Sequence, residues 1–153
     1  RRQLQRTART EGFARAADQF EEPGTWWTRL TARRDEQPLD LKKLGTFPIV
    51  HGVRALALQH RVGALGTAQR LRSLVDQRHL DDELARDLLD ALHFLMSLKL
   101  KQQLRQRQVG ELASNLVLPS ALGTLERDTL KNSLAIIKRF RQYLHVHFRL
   151  DSL

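Results

Sequence analysis

The chain has 153 residues, of which 41% are hydrophobic, and a formal net charge of +9. That length can bury a core without crosslinks, and the absence of cysteine excludes disulfides, thiolate metal centres and cysteine nucleophiles. No apolar run approaches the ~18 residues of a membrane span and no signal-peptide pattern occurs; the cationic balance favours anionic partners such as nucleotide phosphates, nucleic acid or an acidic protein surface.

Leu4 to Phe20 has a weak apolar helical face, interrupted at Gly12. Pro23-Gly24 marks a turn, and Thr25 is placed to cap a short helix holding Trp26, Trp27 and Leu30. The tandem tryptophans read as packing residues. Ala32 to Leu39 is charged, contains Pro38 and reads as a loop. Asp40 to Pro48 (DLKKLGTFP) reads as an extended or looped segment, with Pro48 in the first turn of the next helix. That helix runs to about Arg61 with Ile49, Val53, Leu56 and Ala57 inward. Two glycines follow, and Thr67 is the expected N-cap of a helix from Ala68 to about His79, with Leu71, Leu74 and Val75 inward.

The longest uninterrupted stretch is Asp81 to Val109, free of Gly and Pro and rich in helix formers. Leu84, Leu88, Ala91, Leu95 and Leu98 recur at the spacing of one helical face. Leu89, Leu92, Met96, Leu100 and Leu104 widen that stripe, so the helix is expected to be the central post of a bundle, touched on two sides. Asp81 or Asp82 caps it, acidic residues in its first turn complement the helix dipole, and Gly110 suits a left-handed C-terminal cap. Glu111 to Gly123 reads as an ordered loop. Thr124 is the expected cap of a last helix, Leu125 to about Phe148, with Leu130, Leu134, Ile137, Leu144 and Phe148 inward. Strand signals are nearly absent. The fold class is therefore all-α: a bundle of about five helices, two of them long and antiparallel.

The residues carry no Walker or glycine-rich phosphate loop, no Gly-Ser motif with paired aspartates, and no histidine pair at metal spacing. His145 and His147, two apart on a helix, diverge. No catalytic or metal-binding residue is assigned, and the fragment itself reads as non-catalytic. Basic residues are spread over the whole chain with no run of five like charges, which mostly describes solvated helix faces. The chain begins Arg1-Arg2 and its single methionine is Met96, so a piece of a longer protein is expected. Cysteine usage suits a cytoplasmic location.

Several segments, in order, resemble one family. DLKKLGTFPIVHGVRALALQHRV (Asp40 to Val62), Thr67 to Leu71 followed by Leu74, FLMSLKLKQQL (Phe94 to Leu104), and Asn115 followed by LGTLERDTLKNSLAIIK (Leu122 to Lys138) are similar to the nucleotidyltransferase substrate-binding domain. In that family the helical domain follows a nucleotidyltransferase domain related to PII uridylyltransferases, in bacterial signalling proteins that often carry CBS and cyclic-nucleotide-binding modules. The resemblance covers Asp40 to Arg141. It implies a helical linker at residues 1–39 and the substrate-binding domain at 40–153. It further implies an accessory role in uridylyl or adenylyl transfer to a protein or small acceptor. The catalytic carboxylates, Mg and a nucleoside triphosphate would belong to the parent's upstream domain, with no cofactor in this fragment. Where the family commonly has a histidine in the central helix, this chain has Gln102.

The candidate substrate surface combines Lys42, Lys43, His51, Arg54, Lys99, Gln103, Arg105 and Asn115. The basic groups would hold nucleotide phosphates or an acidic protein substrate. Gln103 and Asn115 could instead tie down the loop after the central helix. Two other classes compete: a basic nucleic-acid-binding module, for which no helix-turn-helix signature is present, and a dimerisation bundle joined through Phe140, Tyr143 and Phe148.

Overall fold

The computed structural model describes residues 37–149 together with Thr10, Gly12 and Ala14. The tandem tryptophans and most of the expected Leu4 to Phe20 helix lie outside the described residues. Thr10, Gly12 and Ala14 are helical, and Thr10 and Ala14 are buried. Between residues 37 and 149 the order is β1 (Leu39–Asp40), a π-helical turn (Lys42–Thr46), α1 (Phe47–Gln59), α2 (Thr67–Asp76), α3 (Asp82–Gln108), β2 (Leu116–Val117), a 3-10 turn (Pro119–Ala121) and α4 (Thr124–Phe148). The all-α expectation holds, with four helices in this stretch rather than about five. None of the helices described is long and apolar enough to cross a membrane.

α3 owes its limits to both ends. The Asp81 carboxylate accepts from the Leu84 amide at 3.2 Å, satisfying one of the donors that every helix leaves open at its start. At the other end Gly110 adopts φ 77°. The Gly110 amide then donates to Arg107 O and the Glu111 amide to Gln106 O, the paired bonds of a Schellman closure. Along its inner face Leu84, Ala85, Leu88, Ala91, Leu92, Leu95 and Leu98 are buried. Met96, Leu100 and Leu104 are not: they are 55, 58 and 52% exposed. The widened stripe is therefore covered only in its first two thirds, because no described element lies over those three side chains.

α4 packs along α3 in the opposite direction. Asp87, early in α3, pairs with Arg139, late in α4, at 2.7 Å; Lys101, late in α3, pairs with Glu126 in the first turn of α4 at 2.9 Å. Leu130, Leu134, Ile137, Phe140 and Leu144 fill the seam, each contributing about 1.5–3 kcal/mol by leaving water. Phe140 is wholly buried, and Tyr143 and Phe148 pack half-buried against the core. The three aromatics on which the competing dimerisation reading rests are thus packed against the core.

α1 packs on α2 and α4, and the π-helical turn packs on α3 and α4. Two glycines make these approaches possible. A Cβ on Gly45 would stand 2.7 Å from Leu95 Cδ1, and one on Gly52 would stand 2.6 Å from both Leu144 Cδ1 and Phe140 Cε1.

Three expectations change at the ends of elements. Asp40 to Thr46 is not looped throughout. Leu39 and Asp40 pair antiparallel with Val117 and Leu116, and Asp40 Oδ1 accepts from the Lys42 and Lys43 amides at 3.0 Å each, turning the chain into the π-helical turn. Thr67 and Thr124 are first helical residues, not caps. The caps are Gly66 and Gly123, which have extended backbone and no capping side chain.

Candidate functional site

A hollow of about 650 Å³ opens where the π-helical turn, α1, the start of α2 and the middle of α3 meet. The turn and α1 supply Lys42, Thr46, Phe47, Val50, His51 and Arg54; α2 supplies Gly66, Thr67, Ala68 and Gln69; α3 supplies Leu89, Leu92, His93, Met96 and Lys99. The α3 set recurs at three- and four-residue steps, so one face of the post forms one wall. Leu89, Leu92 and Met96 give that wall an apolar character, and Val50 of α1 extends it. Lys42, Arg54 and Lys99 bring three cations from three separate segments. Among the described residues that line it there is no carboxylate.

Local contacts hold these groups. The Asp40 carboxylate anchors the turn that carries Lys42, and the Lys42 ammonium stands 4.6 Å from the centroid of the Phe47 ring, a cation–π distance. Phe47 meets His51 edge-on at 5.1 Å. Burial, and next the neighbouring Arg54 guanidinium, hold His51 below the usual imidazole range, so it lines the hollow as a neutral ring at neutral pH. Arg70, one turn into α2, is also lowered by burial and then by Arg54; its Nε donates to Ala64 O at 2.9 Å. Gly66 presents no side chain to cap α2, and the first turn of that helix lines this end of the hollow.

Of the eight residues singled out from sequence, Lys42, His51, Arg54 and Lys99 share this hollow, and the other four do not line it. Lys43 is exposed beside the turn. Gln103 Nε2 donates to Ser114 O at 3.4 Å, while the Asn115 carbonyl accepts from the Leu41 amide at 2.9 Å. Both therefore fasten the loop after α3 to the rest of the fold. Gln106 does the same through paired bonds to Ser114. Arg105 is exposed in the last turn of α3. Gln102 has its Nε2 buried and, among the described residues, without a hydrogen-bond partner. Sequence reasoning missed Phe47, Thr67, Gln69 and His93. Only His93 left a trace, standing six residues before Lys99 and three before Met96 on one helical face.

The sequence model of the family described as "putative nucleotidyltransferase substrate binding domain" matches residues 7–148. The chain belongs to that family. No curated protein matches the chain, and no solved structure matches it. The family description links this domain to a nucleotidyltransferase and to substrate binding. Among the described residues no group of three His, Asp or Glu side chains is placed to hold a metal ion.

Proposed function

We propose that the substrate-binding domain holds an anionic substrate in the hollow for a nucleotidyltransferase domain of the same parent chain. The observation that supports this most directly is the convergence of Lys42, Arg54 and Lys99 on one hollow. Such a surface attracts phosphate or carboxylate groups. The open amides at the start of α2 add donors and a positive helix-dipole end, and the apolar wall on α3 suits the uncharged body of the same ligand. The described lining of the hollow offers no carboxylate to a hard divalent cation. Mg and the transferred nucleotide are accordingly assigned to the linked catalytic domain, which would perform uridylyl or adenylyl transfer to a protein or small acceptor. A bacterial cytoplasmic signalling protein with upstream CBS and cyclic-nucleotide-binding modules is part of the same proposal.

Calorimetric titration of the chain with phosphorylated sugars as candidate acceptors, and with ATP and UTP as comparators, tests the reading. Arg54→Ala and Lys99→Ala should each weaken the best ligand about tenfold or more, as expected for loss of a charge-assisted hydrogen bond. Folded variants that bind as tightly as the parent chain would overturn it.

A further inference from the structure

Away from the hollow, the ends of three helical segments meet, and each brings an imidazole. His60 caps the carboxyl end of α1, His79 lies in the connection from α2 to α3, and His147 stands in the last turn of α4. The His60 and His79 rings stack 3.6 Å apart and 12° from parallel. His147 lies 6.0 Å from His60 and stacks on Tyr143 at 5.5 Å. Two hydrogen bonds complete the joint: Tyr143 OH donates to His79 O at 3.3 Å, and His147 donates from Nε2 to Gln59 Oε1.

This packing suits neutral rings. His60 Nε2 is buried with no hydrogen-bond partner, so a proton placed there would be cut off from water and from any acceptor. Protonating both stacked rings would set like charges face to face. Every packed element adds charges around the joint. α1 continues into Arg61, α2 ends on Asp76, the connection contains Arg78 and Asp81, and α4 brings His145 and Arg149. Arg61, Arg78 and Arg149 all adopt left-handed backbone, with φ of 57, 60 and 50°. His60 is held below the usual imidazole value by burial, then by His79 and His147; His147 is held below it by burial, then by His79. Among the described residues no carboxylate counters either effect. Metal binding is not what the stack serves, because rings this close to parallel do not aim their lone pairs at one ion.

We propose that the imidazole stack is a proton-responsive latch: deprotonated, it fastens the carboxyl end of α1 and the α2–α3 connection to the end of α4, and acid releases them. An opened joint returns its histidines to water and to their ordinary affinity for protons. Opening therefore gains about tenfold for each unit by which a closed-state value lies below the open one, once the pH has fallen past both.

Amide hydrogen exchange of the 153-residue chain at about pH 7.5 and about pH 5.5, corrected for intrinsic rates, tests the latch in the range where histidine titrates. Protection at Ala57–Val62 and Leu144–Phe148 should fall at the lower pH, and by more than protection at Leu92–Leu95 in α3, which loses only what the whole fold loses. His79→Gln should reduce the pH difference, by the part that its like charge adds at His60 and His147. Unchanged protection at the joint, an equal loss along the whole chain, or a pH difference undiminished in His79→Gln would overturn the proposal. Should that variant not fold, NMR titration of the parent chain decides. His60 and His147 should titrate below 6.5, with midpoints shifted by one another's protonation; independent titration at the ordinary value would refute the latch.

Discussion

Gly52 lies where α1 crosses α4, and replacing it with alanine sets two opposing effects against each other. In a helix interior the added methyl group lowers backbone entropy in the unfolded chain and favours folding by about 1 kcal/mol. Here the new Cβ would stand 2.6 Å from Leu144 Cδ1 and Phe140 Cε1 and 3.0 Å from Phe140 Cζ, about 1 Å inside an ordinary carbon–carbon contact. Phe140 and Leu144 are both buried to 1% exposure or less, so neither ring nor methyl can swing into solvent. The helices must separate or a side chain must leave its rotamer, which costs up to about 3 kcal/mol in a packed core. The overlap wins. Gly52→Ala should destabilise by about 2 kcal/mol net, lowering the melting temperature of a chain this size by about 4–8 °C. Urea denaturation followed by far-UV circular dichroism reads the effect as a lower midpoint at unchanged slope. Adding Phe140→Leu should recover part of the loss, measurable as a coupling energy in a double-mutant cycle. A midpoint equal to or above that of the parent chain would refute the claimed fit of α1 against α4.

Asp81→Ala removes the acceptor for the Leu84 amide and should cost about 1 kcal/mol in the same denaturation assay. Asp87→Asn breaks the pair with Arg139, whose side chains are half exposed, and should cost less than about 1 kcal/mol; a larger loss would mean the pair is better shielded than its exposure indicates. His51, His60 and His147 are all held below 6.5, burial being the first cause in each. The unfolded chain therefore binds more protons in and below that range, so stability is complete above 6.5 and declines as pH falls through it. Melting temperatures at constant ionic strength from about pH 7.5 to about pH 5.5 should trace that decline, and a flat profile would contradict it. Lys43→Ala and Arg105→Ala, both outside the hollow, should leave anion affinity within about twofold at ordinary salt, since exposed charges at a distance are screened.

The long helices were legible because their signals are local. The stripe from Leu84 to Leu98, the cap at Asp81 and the glycine at 110 all act within a few residues, and α3 ends within one residue of its expected limits at both ends. How far a neighbour extends is not local. Met96, Leu100 and Leu104 continue the apolar pattern, yet their exposure depends on what the rest of the chain lays over them. Thr67 and Thr124 looked like caps by residue type, but each sits one position late, behind a glycine whose extended backbone already breaks the helix. The hollow was half legible. Lys42, Arg54 and Lys99 were chosen for charge and resemblance, and their convergence comes from the antiparallel turn at Asp40 and the packing of the π-helical turn on α3. Gln103 and Asn115 belong to a backbone fastening that no spacing rule exposes. Phe47 and the open end of α2 left no signal, because their part in the site is a matter of position alone.

In the π-helical turn the Phe47 amide reaches back to Lys42 O, so this coil holds one residue more than an α-helical turn. That surplus residue sets a phase. Deleting one residue from Lys42–Thr46 would let the segment run on as regular helix, but everything ahead of it would rotate by about 100° about the axis of α1. Leu39 and Asp40 would come out of step with Leu116 and Val117, and the Lys42 ammonium would swing away from Lys99. A one-residue gap here would uncouple the strand pair and the cationic cluster together, whereas point substitutions at the same positions would disturb at most one of them.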